Sequence, residues 1–531
     1  MWISTPHIPP DFRGPSDRPF TRFGDPATSA PILQRLAAVV QRRGAALAVA
    51  DADHSLSFEQ LWEWAMRLAQ AIGRTRTGNG PVAVLLPCDQ TYVVAVFACL
   101  SAGRAAVLLD ASYPEARNQA IIAATGASLL IAKGAARLIA SPNMDSLDPH
   151  AAFDERPTWP RTLDGADRLG LEAPAFILAT SGSSGRPKTI VHSQRTMLHW
   201  ARTSHDGMHL NEEDRVLSVS SLSALGGFTA LLSTPLAGAA MQLFDIKSQK
   251  ITGLFDLLGA GSVSILRAAP SLLRSIAALP DAAFAFARLR IVQLYGEPLL
   301  MSDVQQLRKV LAPTCLIRST YGSTESSGLT WYASSFDSHD PVRVPVGTLM
   351  PDTEAAILAD DGTPCEHGSV GELVIRSRYN ALGEWVDGKL IAGRLEPDPL
   401  DPARRIYRTG DLARCDGDGV FVVLGRKDSV LKINGQRVDP GEIEAAIRMR
   451  ADISDIAILP ARRSGTISMM AFIVPKRGAP PDLEARIRVD LRAALPAFMM
   501  PSRFYLIDAM PRLPGGKFDA QALYACAEAR A

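Results

Sequence analysis

Ala179-Thr180-Ser181-Gly182-Ser183-Ser184-Gly185-Arg186-Pro187-Lys188 sets hydroxyls, glycines and a lysine side by side within ten residues. The aliphatic and aromatic run from Phe176 to Ala179 comes just before it and predicts a buried strand leading into a loop. Glycines expose backbone N–H groups, hydroxyls add donors and lysine adds charge, a set suited to a polyphosphate. Counting from Gly182, Pro187 stands where the second glycine of G-x-x-x-x-G-K-[ST] belongs, so the Walker pattern is absent. A flexible Ser/Gly linker is the plain alternative, and the surrounding sequence decides between the two.

Outward from this loop the chain alternates. Upstream, Phe58 to Ile72 reads as an amphipathic helix opened by Ser57 and Gln60 at capping-box spacing. Val82 to Leu86 reads as a buried strand, Tyr92 to Ala102 as a helix and Ala105 to Leu109 as a strand. Downstream, Val216 to Val219, Ser262 to Leu266, Ile291 to Tyr295 and Leu316 to Ser319 repeat the short aliphatic run, each followed by a helical or loop segment. That spacing predicts an α/β fold with largely parallel sheets covered by helices. After about Thr353 strands follow one another without long helices, predicting a β-rich subdomain. From Gly425 a small α+β unit is expected: a hairpin at Val430 to Val438, a helix capped by Asp439 with Pro440 at its first position, further strands and a helix near Pro481 to Leu495. The division expected is a large unit over 1–425 and a small one over 426–531. Proline crowds the first thirty residues, which predicts an extended lead-in lying on a surface.

Composition bounds the function. At 531 residues with a hydrophobic fraction of 47%, the chain is too long for one small domain and rich enough for a substantial core. Lys+Arg 56 against Asp+Glu 55 gives a net charge of +1, so the overall field favours neither nucleic acid nor an anionic membrane. Six scattered cysteines form no C-x-x-C pair, and no basic and apolar leader opens the chain; a cytoplasmic, reducing setting is the expectation.

Eight further segments occur in a fixed order: LDASYPEAR (Leu109 to Arg117), LYGEP (Leu294 to Pro298), STYGSTES (Ser319 to Ser326), GELVI (Gly371 to Ile375), YRTGDLAR (Tyr407 to Arg414), GRKDSVLKINGQRVDPGEIE (Gly425 to Glu444), LPAFMMPSRF (Leu495 to Phe504) and LPGGKFD (Leu513 to Asp519). Together with TSGSSGRPK they resemble the core motifs of the adenylate-forming superfamily, which includes acyl-CoA synthetases, nonribosomal peptide synthetase adenylation domains and luciferase. The resemblance covers the chain from about residue 30 to its end.

The resemblance implies an enzyme that joins a carboxylate to the α-phosphate of ATP with release of pyrophosphate, then passes the acyl group to a thiol. It implies ATP contacts from Thr180, Ser181, Gly182, Ser183, Ser184, Gly185 and Lys188, with Gly296, Glu297, Pro298 and Tyr321 flanking adenine. Gly322 and Ser323 would belong to the ATP site and Thr324 would donate to the α-phosphate, Glu325 would hold Mg²⁺, Asp411 would take the ribose hydroxyls, and Arg426 would assist at ribose or phosphate. Lys517 is implied as the catalytic cation at the developing charge. Asp428 matches the hinge about which the small unit swings between half-reactions. His192, just past the loop, reads as a packing residue and not as a catalyst.

The implied acid pocket is Leu225, Gly226, Thr229, Arg267, Gln293, Tyr295, Thr320, Gly328 and Leu329. Leu225 stands where amino-acid-activating members carry an aspartate for the substrate ammonium, which argues against an ordinary α-amino acid. LDASYP and RVDPGEIE look most like stand-alone adenylation domains and D-alanine-carrier ligases. With the chain ending fourteen residues past Lys517, the expected acceptor is the phosphopantetheine thiol of a separate carrier protein, with free coenzyme A as the alternative. A nucleotide-binding regulator without turnover and a luciferase-like oxidative relative are the readings from other classes.

Overall fold

The computed structural model describes residues 2, 9–16, 18, 20–23, 30–75, 78–134, 136, 144–153, 169–181, 187–334, 342–427, 431–433, 436–438, 440–463, 466–495, 499–513 and 518–530. The runs read as strands upstream and downstream of the phosphate segment form two large sheets. One has the strand order Lys389–Ile391, Gly383–Val386, Pro187–Ser193, Pro174–Ser181, Ala106–Leu108, Val82–Leu85, Leu129–Ala132 and Asp145–Leu147, parallel from Pro174–Ser181 onward. The other runs Thr348–Leu349, Ser327–Ala333, Leu316–Gly322, Ile291–Tyr295, Ile265–Ala268, Arg215–Ser218, Ala240–Gln242, Leu47–Ala50 and Ser55–Ser57, with its six middle strands parallel.

Two helices join the sheets. Gln90–Ser101 is buried along its whole length, as its apolar run from Tyr92 to Leu100 requires, with polar residues only at its two ends. Leu225–Leu236 follows a strand of the second sheet, and its Phe228 meets Phe176 of the first edge to face, with centroids 4.8 Å apart. Both rings are fully buried, so truncating either would cost about 3–5 kcal/mol. The helix Phe58–Arg74 opens with the Ser57/Gln60 capping box read from sequence, which turns the chain away from its short antiparallel strand.

The β-rich part is a five-stranded sheet of Thr353–Leu358, Gly371–Ser377, Arg405–Cys415, Leu395–Pro397 and Phe421–Arg426. Beyond it, Leu431–Ile433 pairs with Gln436–Val438, and Ile453–Arg463, Thr466–Pro475 and Arg503–Leu506 make a three-stranded sheet. Helices Pro440–Arg448 and Leu483–Ala494 cover this small sheet through Ile443, Ile447, Ile487 and Leu491. A closing helix, Ala520–Glu528, has no counterpart in the sequence reading. The described part of the proline-rich lead-in lies on the helix Gln194–Met208 and its cap: Phe23 N–H donates to Asp206, and Phe20 stacks on His209.

The strand expected over Ser262 to Leu266 sits at Ile265–Ala268 instead. Gly261, at φ +72°, turns the chain, and Ser264 N–H bonding to Arg215 O starts the pairing only there. All six cysteines are free. No helix among the described residues is long and apolar enough to cross a membrane.

Candidate active site

Parallel strands present their carboxyl ends, and the connecting loops there, to one edge of a sheet. Ile291–Tyr295 ends in Tyr295 and turns through Gly296 at φ +84°, placing Glu297 at the edge. Leu316–Gly322 ends in Tyr321 and Gly322, followed by a turn in which Ser323 and Ser326 exchange backbone hydrogen bonds, with Thr324 and Glu325 at its tip. Arg267, in register with Gln293, and Ser218, in register with Arg267, lie near the carboxyl ends of the next two strands. This edge thus holds residues implied for adenine and acid together with Thr324 and Glu325.

On the β-rich sheet, Asp411 and Arg426 face each other in register, and Arg426 Nη1 lies 3.1 Å from Asp411 Oδ1. Arg426 also donates to Thr409 O at 2.8 Å, and a Cβ on Gly410 would come within 3.0 Å of its guanidinium, which is why glycine fits at φ +72°. The Tyr321 hydroxyl crosses from the other sheet and donates to Asp411 Oδ2. Burial, and next the Asp411 charge, push the Tyr321 phenol well above its ordinary range, so it stays a donor. Asp411 accepts this bond with its second oxygen on Arg426, an arrangement that fixes the carboxylate in one orientation.

Glu325 is held from two sides. Its carbonyl accepts from Ala381 N–H at 2.8 Å, and the Tyr407 phenol lies against the Glu325 and Ser323 side chains. Burial, and next the Glu325 charge, raise the Tyr407 phenol, which keeps it protonated as well. The Glu325 carboxylate, next to Thr324 in the chain and sharing the Tyr407 phenol with Ser323, offers the hard oxygen ligand a magnesium ion takes. His192 is fully buried beside the Thr324 backbone and edge-on to Trp200; burial lowers its pKa to about 3, so it is a neutral packing group.

The flanks of the phosphate loop meet: Thr180 pairs with Lys188 and Ser181 with Pro187 across two antiparallel strands, the second of which was not expected from the sequence. Lys188 Nζ is 3.9 Å from Glu384 of the adjoining hairpin. Gly182, Ser183, Ser184 and Gly185 lie outside the described residues, as do Asp428 and Lys517. Arg512 and Phe518 form an antiparallel bridge with the guanidinium 4.8 Å from the Phe518 ring.

The acid-pocket positions also converge. Leu225 and Gly226 open the helix Leu225–Leu236, Thr229 lies one turn on, and Arg267, Gln293, Tyr295 and Thr320 stand on adjacent strands. Leu329 pairs with Tyr321, and a Cβ on Gly328 would lie 3.4 Å from the Tyr321 ring. The Tyr295 hydroxyl hydrogen-bonds with Ser220 Oγ at 2.9 Å and Ser218 Oγ at 3.3 Å. Tyr407, Ser271, Glu384, Asp455 and Arg512 were not singled out from sequence. Their partners are distant along the chain, so spacing leaves no mark of them.

The AMP-binding enzyme family matches residues 36–385, and the AMP-binding enzyme C-terminal domain matches residues 442–517. The chain belongs to the AMP-binding enzyme family, within the adenylate-forming superfamily. As such it is 31% identical over 516 residues to an isonitrile lipopeptide synthase of Streptomyces coeruleorubidus, covering 94% of this chain and 34% of that protein. It is 30% identical over 488 residues to a dimodular nonribosomal peptide synthase of Bacillus subtilis (strain 168), covering 89% and 20%. The chain thus spans about a third or less of the length of these relatives. Among solved structures, a benzoate CoA ligase from Burkholderia xenovorans LB400 superposes with a TM-score of 0.80 at 22% identity, covering 93% of this chain and 99% of that one. The anthranilate CoA ligase AuaEII in complex with anthranoyl-AMP gives 0.81 at 19%, covering 94% and 98%. These likenesses show a shared fold.

Proposed function

We propose that this family member activates a carboxylic acid as its acyl-adenylate and transfers the acyl group to the phosphopantetheine thiol of a separate carrier protein. A carboxylate oxygen attacks the α-phosphorus of ATP, the bond to the β-phosphate oxygen breaks and pyrophosphate leaves. The thiolate then attacks the acyl carbon and AMP leaves. The observation that carries this reading is the Tyr321–Asp411–Arg426 constellation closing over the strand edge that also holds Thr324 and Glu325.

In this reading Asp411 accepts from the ribose hydroxyls and Tyr321 lines the adenine side. Thr180 to Lys188 hold the outer phosphates and Thr324 donates to the α-phosphate. Glu325 would hold Mg²⁺, which supplies positive charge to the phosphate oxygens. Lys517 offsets the charge that develops in the transition state. Residues 1–425 bind ATP and acid, and residues 426–531 swing about Asp428 to exchange Lys517 for the thiol-accepting face. A carrier protein is favoured over coenzyme A by the two peptide-synthase relatives. Leu225 at the mouth of the pocket disfavours an ordinary α-amino acid. Free cysteines throughout fit a reducing cytosol.

The test is acid-dependent exchange of labelled pyrophosphate into ATP across a carboxylic-acid library, followed by transfer to purified holo-carrier proteins and to coenzyme A. Exchange without any acyl transfer to a carrier, but with transfer to coenzyme A, would move the chain to the CoA ligases. Nucleotide binding without exchange would leave it a regulator.

A further inference from the structure

Ser218, Arg267, Gln293, Arg318 and Tyr332 form one row, in register across five strands of the second sheet. Paired residues of neighbouring strands point to the same face, so two guanidiniums, both fully buried, share that face with a single glutamine between them. They differ in their partners. Arg318 donates through Nε to Thr330 Oγ1 at 3.0 Å and through Nη2 to Thr203 O at 3.4 Å, with Asp11 adding favourable charge. Arg267 donates only through Nη2, to Thr229 Oγ1 at 2.9 Å; its Nε and Nη1 have no acceptor, and among the described residues no carboxylate lies within ion-pair distance.

A buried guanidinium without an anion is strongly unfavourable. Burial draws the Arg267 pKa down to about 10, against a lift from the Tyr295 phenol and with a further push from Arg318, yet at neutral pH the group is still a cation. The neighbouring Gln293 carries a second mismatch: its Nε2 donates to Thr320 Oγ1 at 2.9 Å while its Oε1 is buried without a donor. Turning that amide over is free at Thr320, since a hydroxyl accepts as readily as it donates, and aims a further N–H at the same space. Donors without acceptors therefore converge from two strands beside Thr229, Tyr295 and Gly226, the residues implied for the acid.

We propose that Arg267 is the specificity residue of the acid pocket and that the acid activated here is a dicarboxylic acid, whose second, non-reacting carboxylate pairs with Arg267 and Gln293. The inference rests on the adenylation reading for its chemistry and on the unpaired guanidinium for its substrate class. The reacting carboxylate faces the ATP edge while the distal one takes the acceptor place left open on Arg267. The same arrangement disfavours monoacids, whose apolar ends would keep the cation buried and unpaired.

The experiment compares the full-length protein with Arg267→Met and Arg267→Lys. Pyrophosphate exchange is measured with monoacids and diacids of matched length, such as butyrate against succinate and benzoate against phthalate. The parent should favour the diacid of each pair, and Arg267→Met should lower the ratio of diacid to monoacid kcat/KM by about 10- to 100-fold. Arg267→Lys should recover part of that preference. Removing an unpaired buried cation should also raise the melting temperature of the ligand-free protein, an effect opposite to the loss of a structural arginine. An unchanged ranking of acids in Arg267→Met, or a parent indifferent to the second carboxylate, overturns the proposal. If no acid drives exchange in the parent, adenylation itself fails as the reading. Thermal stabilisation by each diacid then decides separately: stabilisation of the parent that Arg267→Met lacks upholds the carboxylate site, and its absence in both removes it.

Discussion

Arg512 Nη1 of the C-terminal unit lies 3.6 Å from Glu297 Oε1, on the loop that follows the central strand Ile291–Tyr295. The same nitrogen reaches Ser271 Oγ at 3.5 Å while Nη2 pairs with Asp455 of the small sheet. Glu297 is itself pinned, accepting from Ser271 N at 3.0 Å and Ser271 Oγ at 2.8 Å at the first turn of the helix Pro270–Ala277. The contact therefore ties a fixed carboxylate of one unit to a fixed guanidinium of the other, only five residues before Lys517.

Both side chains are about a quarter exposed, so the pair is worth no more than about 1 kcal/mol, or roughly fivefold in an equilibrium. If the contact selects the orientation that adenylates, Arg512→Ala should slow pyrophosphate exchange about three- to fivefold and leave transfer from a supplied acyl-adenylate untouched or faster. A double-mutant cycle with Glu297→Gln separates docking from any direct role of Glu297 at the nucleotide. Strictly additive effects would show that the two side chains are not coupled.

The bond from Tyr321 to Asp411 joins the parallel sheet to the β-rich one. Tyr321→Phe keeps the ring and removes one hydrogen bond to a charged group, expected to be worth about 1.5–3 kcal/mol, part of which water restores at this half-open site. Nucleotide affinity should fall by about tenfold with little change in the ranking of acids. Equilibrium titration with AMP measures it; an affinity equal to the parent's would mean that Asp411 holds its orientation through Arg426 alone.

How far the sequence discloses this arrangement depends on the range of the interactions. The Ser57/Gln60 cap and the strand Ile291–Tyr295 were legible because three-residue spacing and a five-residue aliphatic run settle them locally. Motif order was enough to single out Tyr321, Asp411, Arg426 and Glu325, but not the hydrogen bond and ion pair that join the first three across two sheets. The start of Ile265–Ala268 was misplaced because its first pairing is set by Arg215, nearly fifty residues away. Arg512 looked like any arginine beside a proline, and its partners Ser271 and Glu297 are known only once the two units meet. Arg267 was visible as a charge in an apolar strand, but the absence of an acceptor for Nε and Nη1 is a property of the packed core.

Two buried histidines give the fold a defined acid limit. His192 and His199, the latter stacked 3.8 Å from Tyr379 and nearly parallel to it, both have pKa values drawn by burial from 6.5 to about 3. Because the unfolded chain binds these protons first, stability is full above about pH 6.5 and falls as pH drops toward 3. The slope is about 1.4 kcal/mol per pH unit for each residue. Urea midpoints should therefore decline steeply between pH 6.5 and 5, and His199→Gln should reduce that decline by about half. A midpoint independent of pH across this window would mean that neither ring is held neutral.

Lys517→Ala should lower adenylation by about two orders of magnitude or more, the usual loss on removing one preorganised charge-stabilising donor. Folding and thiolysis of a supplied acyl-adenylate should be largely retained, since neither needs that cation. Asp428→Pro should show the converse, with thioester formation lost and adenylation spared, because a fixed φ restricts the swing. Pyrophosphate exchange and single-turnover acyl transfer measured on both variants would reveal whether the half-reactions separate; equal loss of both in each variant would refute a moving lysine.

A Cβ added at Gly226 would sit 2.2 Å from Tyr295 Cε2 and 2.8 Å from its hydroxyl oxygen, far inside contact distance. Gly226→Ala therefore cannot coexist with the present Tyr295 ring, which must swing out and give up its hydrogen bonds to Ser220 and Ser218. Overpacking of this kind costs about 1–3 kcal/mol, and here it should fall on the acid: its KM should rise about 5- to 100-fold while nucleotide affinity stays near the parent's. Tyr295→Ala opens the room that the alanine methyl needs, so the double variant should bind acid no worse than Tyr295→Ala alone. If instead the two losses add, Gly226 acts through its backbone and not through the ring it lies against.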